Sequence, residues 1–214
     1  MPTGVPLSDV RDQLFEAARR VMLRDGADAL TSRAVTTEAG VAKGILHRHF
    51  ADFDTFLASL ALSHIELLEH QSEQLRTSAG SGTVENNLAD ALTAALTPDA
   101  LAIVNLVMSR HALLSRLRLT TPTGIPLLTE TTKMIAAYLT AERGLGRISL
   151  DTDVDTLAVI LVGGVHLQTA SHHGASQNPD ELRNLMTNTV ASITGNLSFL
   201  VTSPVSPRVG STRD

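Results

Sequence analysis

Gly26 and Gly40 cut the first fifty residues into three short helical pieces, and this division constrains the fold more than any other feature of the chain. From Ser8 to Asp25 the apolar residues Leu14, Phe15, Ala18, Val21 and Met22 recur at i, i+1, i+4, i+7 and i+8, the period of an amphipathic helix. Gly26 is placed to end it. After a bridge from Ala27 to Leu30, Thr31 or Ser32 can cap a second helix, which Gly40 breaks near Ala39 after barely two turns. Val41 and Ala42 lead into a third helix from Lys43 to Phe50, on which Leu46 and Phe50 stack at i, i+4.

The rest of the chain keeps the helical period. A long helix is expected from a cap at Asp52 or Asp54 to about Arg76, ending at the Gly/Ser stretch Ser78 to Thr83. Further helices are expected over Val84–Leu96, Asp99–Leu117, Ile125–Arg143, Asp151–Ser171 and Pro179–Val201, separated by Pro98, Pro122 with Pro126, Gly144 with Gly146, and Gly174. No run alternates apolar and polar residues as a half-buried strand does. The expected fold is all-α: a helix-turn-helix domain over residues 1–53, a helical bundle over 54–202, and a disordered tail over 203–214. Val154 to Leu167 is apolar on nearly every side, which a helix tolerates only when it is covered on more than one face. With Pro179–Val201 it predicts a four-helix interface between two copies, hence a homodimer through the two C-terminal helices.

Composition narrows the setting. The 214 residues include no cysteine, so disulfides and thiolate metal sites are excluded. Met1 to Ser8 lacks the pattern of a signal peptide, and the most apolar stretch, Leu157 to Leu167, is too short to span a bilayer, so the expectation is a cytoplasmic protein with no membrane partner. The net charge of −5 is unevenly spread: residues 1–50 carry seven Lys/Arg against six Asp/Glu, whereas the remainder carries ten against sixteen. The N-terminal part can therefore present a local basic face, because phosphate attraction acts over about a Debye length of ~8 Å.

Thr31 to Phe50 has the dimensions of a DNA-reading unit: a short helix, a tight glycine turn and a second short helix anchored by its apolar side. On a helical wheel Gly44, His47 and Arg48 lie opposite Leu46 and Phe50, with Lys43 at the edge, and this arc contains no acid. Lys43 and Arg48 can reach phosphates or guanine edges, and His47 can donate to an acceptor. The bland alternatives are that Ile45 only packs and that Arg33 pairs with Glu38 or another surface acid. The runs Leu14-Phe15-Glu16-Ala17-Ala18, Asp25-Gly26, Thr31-Ser32-Arg33, Glu38 through Leu46 and His49-Phe50 closely resemble the N-terminal signature of TetR-family regulators. The resemblance implies double-stranded operator DNA read by a homodimer, a pocket in the C-terminal bundle, and release of DNA when a small-molecule effector binds. It implies DNA contacts from Ser32, Arg33, Lys43, Gly44, Ile45, His47, Arg48 and His49. Two positions depart from the family pattern: His47 replaces a usual tyrosine and Phe53 a usual lysine, both of which touch the DNA backbone.

For the bundle, aliphatic residues such as Leu101, Val104, Leu106, Leu113, Ile135 and Leu161 suggest an apolar effector. Asn105, Met108, His111, Met134, Tyr138 and His166 are the candidates to line its site. The neighbours His172 and His173 point about 100° apart on a helix and cannot close on one ion, so no metal is expected. Metalloprotease, nucleophile-elbow and phosphate-loop motifs are all lacking, so neither a cofactor nor catalysis is expected. A repressor is the first reading; an activator or dual regulator, and a helical ligand carrier or enzyme that has kept a helix-turn-helix, are its rivals.

Overall fold

In a computed structural model the described residues are 7–171 and, further on, 180, 183–184, 187–188 and 190–192, and among them there are helices and no strands. The order is α1 (Leu7–Asp25), a 3-10 turn (Ala27–Ala29), α2 (Ser32–Glu38), α3 (Gly44–His49), α4 (Phe53–Thr77), α5 (Val84–Ala95), α6 (Pro98–Ser109), α7 (His111–Leu117), α8 (Leu128–Gly144) and α9 (Val154–Ser171). Side-chain caps set most of the starts. Thr31 accepts from the Ala34 amide, Asp52 from Thr55, Thr83 from Asn86 and Thr97 from Ala100, each satisfying an amide that the first helical turn leaves free. Gly26 and Gly40 stop α1 and α2 at φ 87° and 67°, a backbone that a side chain would strain. At Gly40 the amides of Gly40 and Val41 bond back to Thr37 and Thr36, the paired closure of a Schellman turn.

The head formed by α1 to α3 is held to α4 by aromatic rings. Phe15, Phe50 and Phe56 lie with centroids 5.1 to 6.0 Å apart, and Phe53 stacks on Phe56 at 5.6 Å. Leu14, Leu30, Val35 and Leu46 complete this core at 0% exposure. In the body, α4 and α9 pack on α8. There Glu142 is fully buried and its Oε1 accepts from the Tyr138 hydroxyl at 2.5 Å, the Gly80 amide at 3.3 Å and Arg147 at 3.3 Å. Asn87 donates to the Tyr138 oxygen at 2.9 Å and to the Ser81 carbonyl at 2.8 Å, and Arg147 reaches the Gly82 carbonyl at 2.5 Å. A buried carboxylate is tolerated because these donors replace the water it gives up.

Three boundaries differ from the sequence expectation, one of them the start of the helix expected from Asp151, which begins at Val154. The single helix expected over Asp99–Leu117 is two, because Arg110 adopts an extended backbone (φ −118°, ψ 97°) between α6 and α7. No glycine or proline marks the break. The helix expected from Ile125 begins at Leu128, because buried Leu127 turns the chain with φ 68°. The predicted helix Pro179–Val201 lies largely, and the tail 203–214 wholly, outside the described residues. No single described helix is long and apolar enough to cross a membrane.

His64 of α4 is buried, with Nδ1 3.3 Å from the Leu60 carbonyl oxygen. Burial, above all, lowers its pKa below the ordinary imidazole value; Arg19 of α1 adds to the lowering, while the Leu60 bond and Asp99 of α6 oppose it. The folded state therefore favours neutral imidazole, and near the unfolded value of about 6.5 the unfolded chain binds more protons. The stability that neutral His64 provides is present above that pH and is lost as the pH falls through the folded pKa. Urea midpoints measured from pH 7.5 down to 5.5 should fall, and they should fall less in His64→Leu.

Candidate nucleic-acid interface

The unit from Thr31 to Phe50 is seated by Val35 of α2, Ala39 at its end, Leu46 and Phe50, all buried, with α2 packed on α1 and the Phe50 ring beside Phe15. With one side of α3 committed, Gly44, His47 and Arg48 face outward and are exposed, as are Lys43 before the helix and Arg33 on α2. The side chains of Arg33, Lys43, His47 and Arg48 make no hydrogen bond or ion pair among the described residues. Ile45 and His49 are half-buried. Ser32 is also half-buried, and its Oγ is covered without a hydrogen-bond partner, so the hydroxyl points inward.

Glu38 is the single acid between Thr31 and Phe50. The pairing of Arg33 with Glu38 does not occur: Glu38 accepts from Arg20 and Arg24 at 2.8 Å each, and these bonds, Arg20 first, hold its carboxyl below the usual carboxylate range. Arg19 is likewise turned to Glu16 and lies 4.0 Å from Asp99. Arg19, Arg20 and Arg24 of α1 thus engage Glu16 and Glu38, and Arg33 of α2 and Arg48 of α3 stay unpaired among the described residues. The result is an exposed, cationic face free of acids on α3, of helical width and suited to a polyanion in a groove.

Phe53 occupies no part of this surface. Its ring is half-buried between Phe56 and the Arg110 guanidinium, whose centre is 5.8 Å from the ring centroid. Arg110 also donates to the Leu30 carbonyl at 2.9 Å. Arg116 of α7 reaches the start of α4, donating to Thr55 Oγ1 at 2.7 Å and Asp52 at 3.1 Å. Asp52 is pushed down to about 2, chiefly by the Thr55 hydroxyl and amide and then by Arg116. No spacing rule announces these contacts, since they join residues 61 to 80 positions apart.

The family model described as bacterial regulatory proteins, tetR family, matches residues 14–59. The chain carries the N-terminal domain of the TetR family. The match spans the whole head from Leu14 and enters α4, so the TetR-family domain includes the phenylalanine cluster as well as the helix-turn-helix. Solved structures extend the likeness to the body. FadR from Bacillus halodurans is 17% identical, with 91% of this chain and 98% of that one covered and a TM-score of 0.66. A TetR-family transcriptional regulator from Agrobacterium tumefaciens is 14% identical, covering 92% and 99%, with a TM-score of 0.64. FadR from Bacillus subtilis, solved in complex with stearoyl-CoA, is 17% identical, covering 85% and 96%, with a TM-score of 0.62. At such identities the likeness establishes the fold: an N-terminal helix-turn-helix followed by a helical body. No curated protein matches the chain in sequence.

The candidate effector residues do not gather in one place. Asn105, Met108 and His111 are exposed on α6 and α7, because the buried side of α6 is taken by Leu101, Ile103, Val104 and Val107. Tyr138 is buried, and its hydroxyl is engaged by Glu142 and Asn87; burial, first, and the Glu142 bond raise its pKa. His166 is half-buried on α9. Met134 alone of the six borders a cleft of about 240 Å³ between α4, α5 and α8, lined also by Gln71, Gln74, Leu75, Ser78, Asn87, Asp90, Ala91 and Ala94. His172 and His173 lie outside the described residues.

A Cβ added at Gly44 would meet no atom within 4 Å. Gly44→Ala should therefore leave the melting temperature unchanged or raise it, by the equivalent of about 0.4–1 kcal/mol. If the position lies against DNA, the same methyl should weaken operator binding. A lowered melting temperature would show instead that this glycine is needed by the fold.

Proposed function

We propose that the protein is a ligand-responsive transcriptional repressor that binds a palindromic operator as a homodimer, with residues 1–53 reading DNA and 54–202 carrying the effector site and the dimer contact. The observation that carries this reading is the outward face of α3 and its cap, where Lys43, His47 and Arg48 stand exposed and without a partner among the described residues, over a buried anchor of Leu46 and Phe50. Arg33 extends that face from α2, and Gly44 allows a close approach. Ser32, Ile45 and His49, all half-buried, would contribute at its edges.

Support for a dimer comes from α9. Its buried side packs on α8, while Val159, Ile160 and Leu167 are 59%, 49% and 68% exposed, with Gly163 and Gly164 between them on the same side. An apolar helix face with a central pair of glycines suits close packing against its own copy.

The effector would bind in the cleft beside Met134. Gln71 Oε1 is buried there without a hydrogen-bond partner, so a ligand offering an N–H or O–H donor would satisfy it, while Leu75, Ala91, Ala94 and Met134 would receive an apolar body. At about 240 Å³ the cleft falls below the ~300–1,000 Å³ usual for ligand pockets and suits a compact molecule. Gln71, Gln74 and Leu75 belong to the C-terminal end of α4 and Ser78 caps it, while its N-terminal end joins the head. A ligand that favours one tilt of α4 would change the separation of the two recognition helices from the ~34–36 Å that successive major grooves require.

A gel shift against the DNA upstream of the protein's own gene tests the reading. Binding to a palindromic site is expected, and failure to bind any such site at low salt would defeat it. Lys43→Ala should cost about 1–3 kcal/mol if the lysine reads a base, or lower the salt slope by about one if it meets a phosphate. For the dimer, Ile160→Glu should give monomers in sedimentation, and an unchanged dimer would move the interface elsewhere.

A further inference from the structure

The helix-turn-helix unit is gripped at both ends by one residue of the body. Leu30 immediately precedes Thr31, the cap of α2, and Phe53 opens α4 just after α3 ends. Arg110 donates Nη2–H to the Leu30 carbonyl at 2.9 Å and lays its guanidinium over the Phe53 ring at 5.8 Å. It can do both because it sits in the extended break between α6 and α7, where the side chain leaves the helix. Nearby, Arg116 ties α7 to Asp52 and Thr55.

We propose that Arg110 is a positioning residue for DNA recognition, which pins the entrance and exit of the reading unit to the α6–α7 elbow and so fixes the angle at which α3 is presented. It touches no DNA itself. In a dimer that angle sets the separation of the two recognition helices, so Arg110 governs which half-site spacing is accepted. This consequence rests on the DNA-binding dimer proposed above. The planar guanidinium is essential: a lysine ammonium keeps the charge but cannot hold a carbonyl and cover a ring with one forked group.

Two measurements test it, one of them independent of DNA. The chain has no cysteine, so Thr37→Cys on α2 and Thr140→Cys on α8, both exposed, take spin labels cleanly in protein diluted with unlabelled chain. Arg110→Ala and Arg110→Lys should both broaden the head-to-body distance distribution, whereas Arg118→Ala, an equal loss of charge nearby, should not. In operator selection with varied half-site spacing, wild type should prefer its best spacing over neighbours by about tenfold or more, and both Arg110 variants should reduce that preference to within about threefold. Phe53→Leu, which leaves the Leu30 bond in place, should show a smaller change of the same kind and stands in if an Arg110 variant fails to fold. Unchanged distances in both Arg110 variants would overturn the proposal. So would a uniform loss of affinity at every spacing with a lowered salt slope, the mark of a phosphate contact. Wild-type protein that binds no DNA would defeat the repressor reading, and the distance measurement would then decide the clamp alone.

Discussion

The packing of Phe15, Phe50, Phe53 and Phe56 is the contact on which the other features of the head depend. Helix α3 spans Gly44–His49 and has too few turns to persist alone, since a helix nucleus is costly and short helices draw their stability from tertiary packing. Phe50 terminates it and lies 6.0 Å from Phe15 of α1 and 5.1 Å from Phe56 of α4. The same cluster that orients α3 thereby joins it to the helix that runs into the body. Any movement of α4 is felt by α3 through rings in contact, with no flexible linker between them.

Charge completes what packing begins. In the head, carboxylates and arginines occur in nearly equal number, so net charge says little about what binds. Their placement says more. Arg20 and Arg24 fold over Glu38, and Arg19 turns to Glu16 and towards Asp99, so these three acids are engaged on the α1 side. Among the described residues Arg33, Lys43 and Arg48 are left without partners, and their cost of desolvation against a polyanion is not raised by first breaking an ion pair there.

What could be read from the sequence was local. Gly26, Gly40, Thr31 and Asp52 act within a few residues of themselves, and the elements they delimit lie within a residue or two of expectation. The inward and outward sides of α3 follow from its period in the same way. The break at Arg110 was not legible, because the carbonyl that draws the side chain out belongs to Leu30, 80 residues earlier. Nor was the cleft beside Met134. Periodicity identifies an apolar side of α6 but not what covers it, and Asn105, Met108 and His111 lie on the exposed side of α6 and α7. Tyr138, the single tyrosine, is enclosed with Glu142 for reasons that only the meeting of α5, α8 and the loop between α4 and α5 creates.

That loop also decides where the chain can change in length. Surface connections ordinarily absorb insertions and deletions with little harm. Here the amide of Gly80 and the carbonyls of Ser81 and Gly82 are held by Glu142, Asn87 and Arg147, so the reach from α4 to α5 is fixed by partners on two other segments. One added residue would draw the Gly80 amide away from a buried carboxylate. The connection between α7 and α8, where Leu119 is 88% exposed, carries no such obligation at its tip, and variation in length among relatives should accumulate there instead.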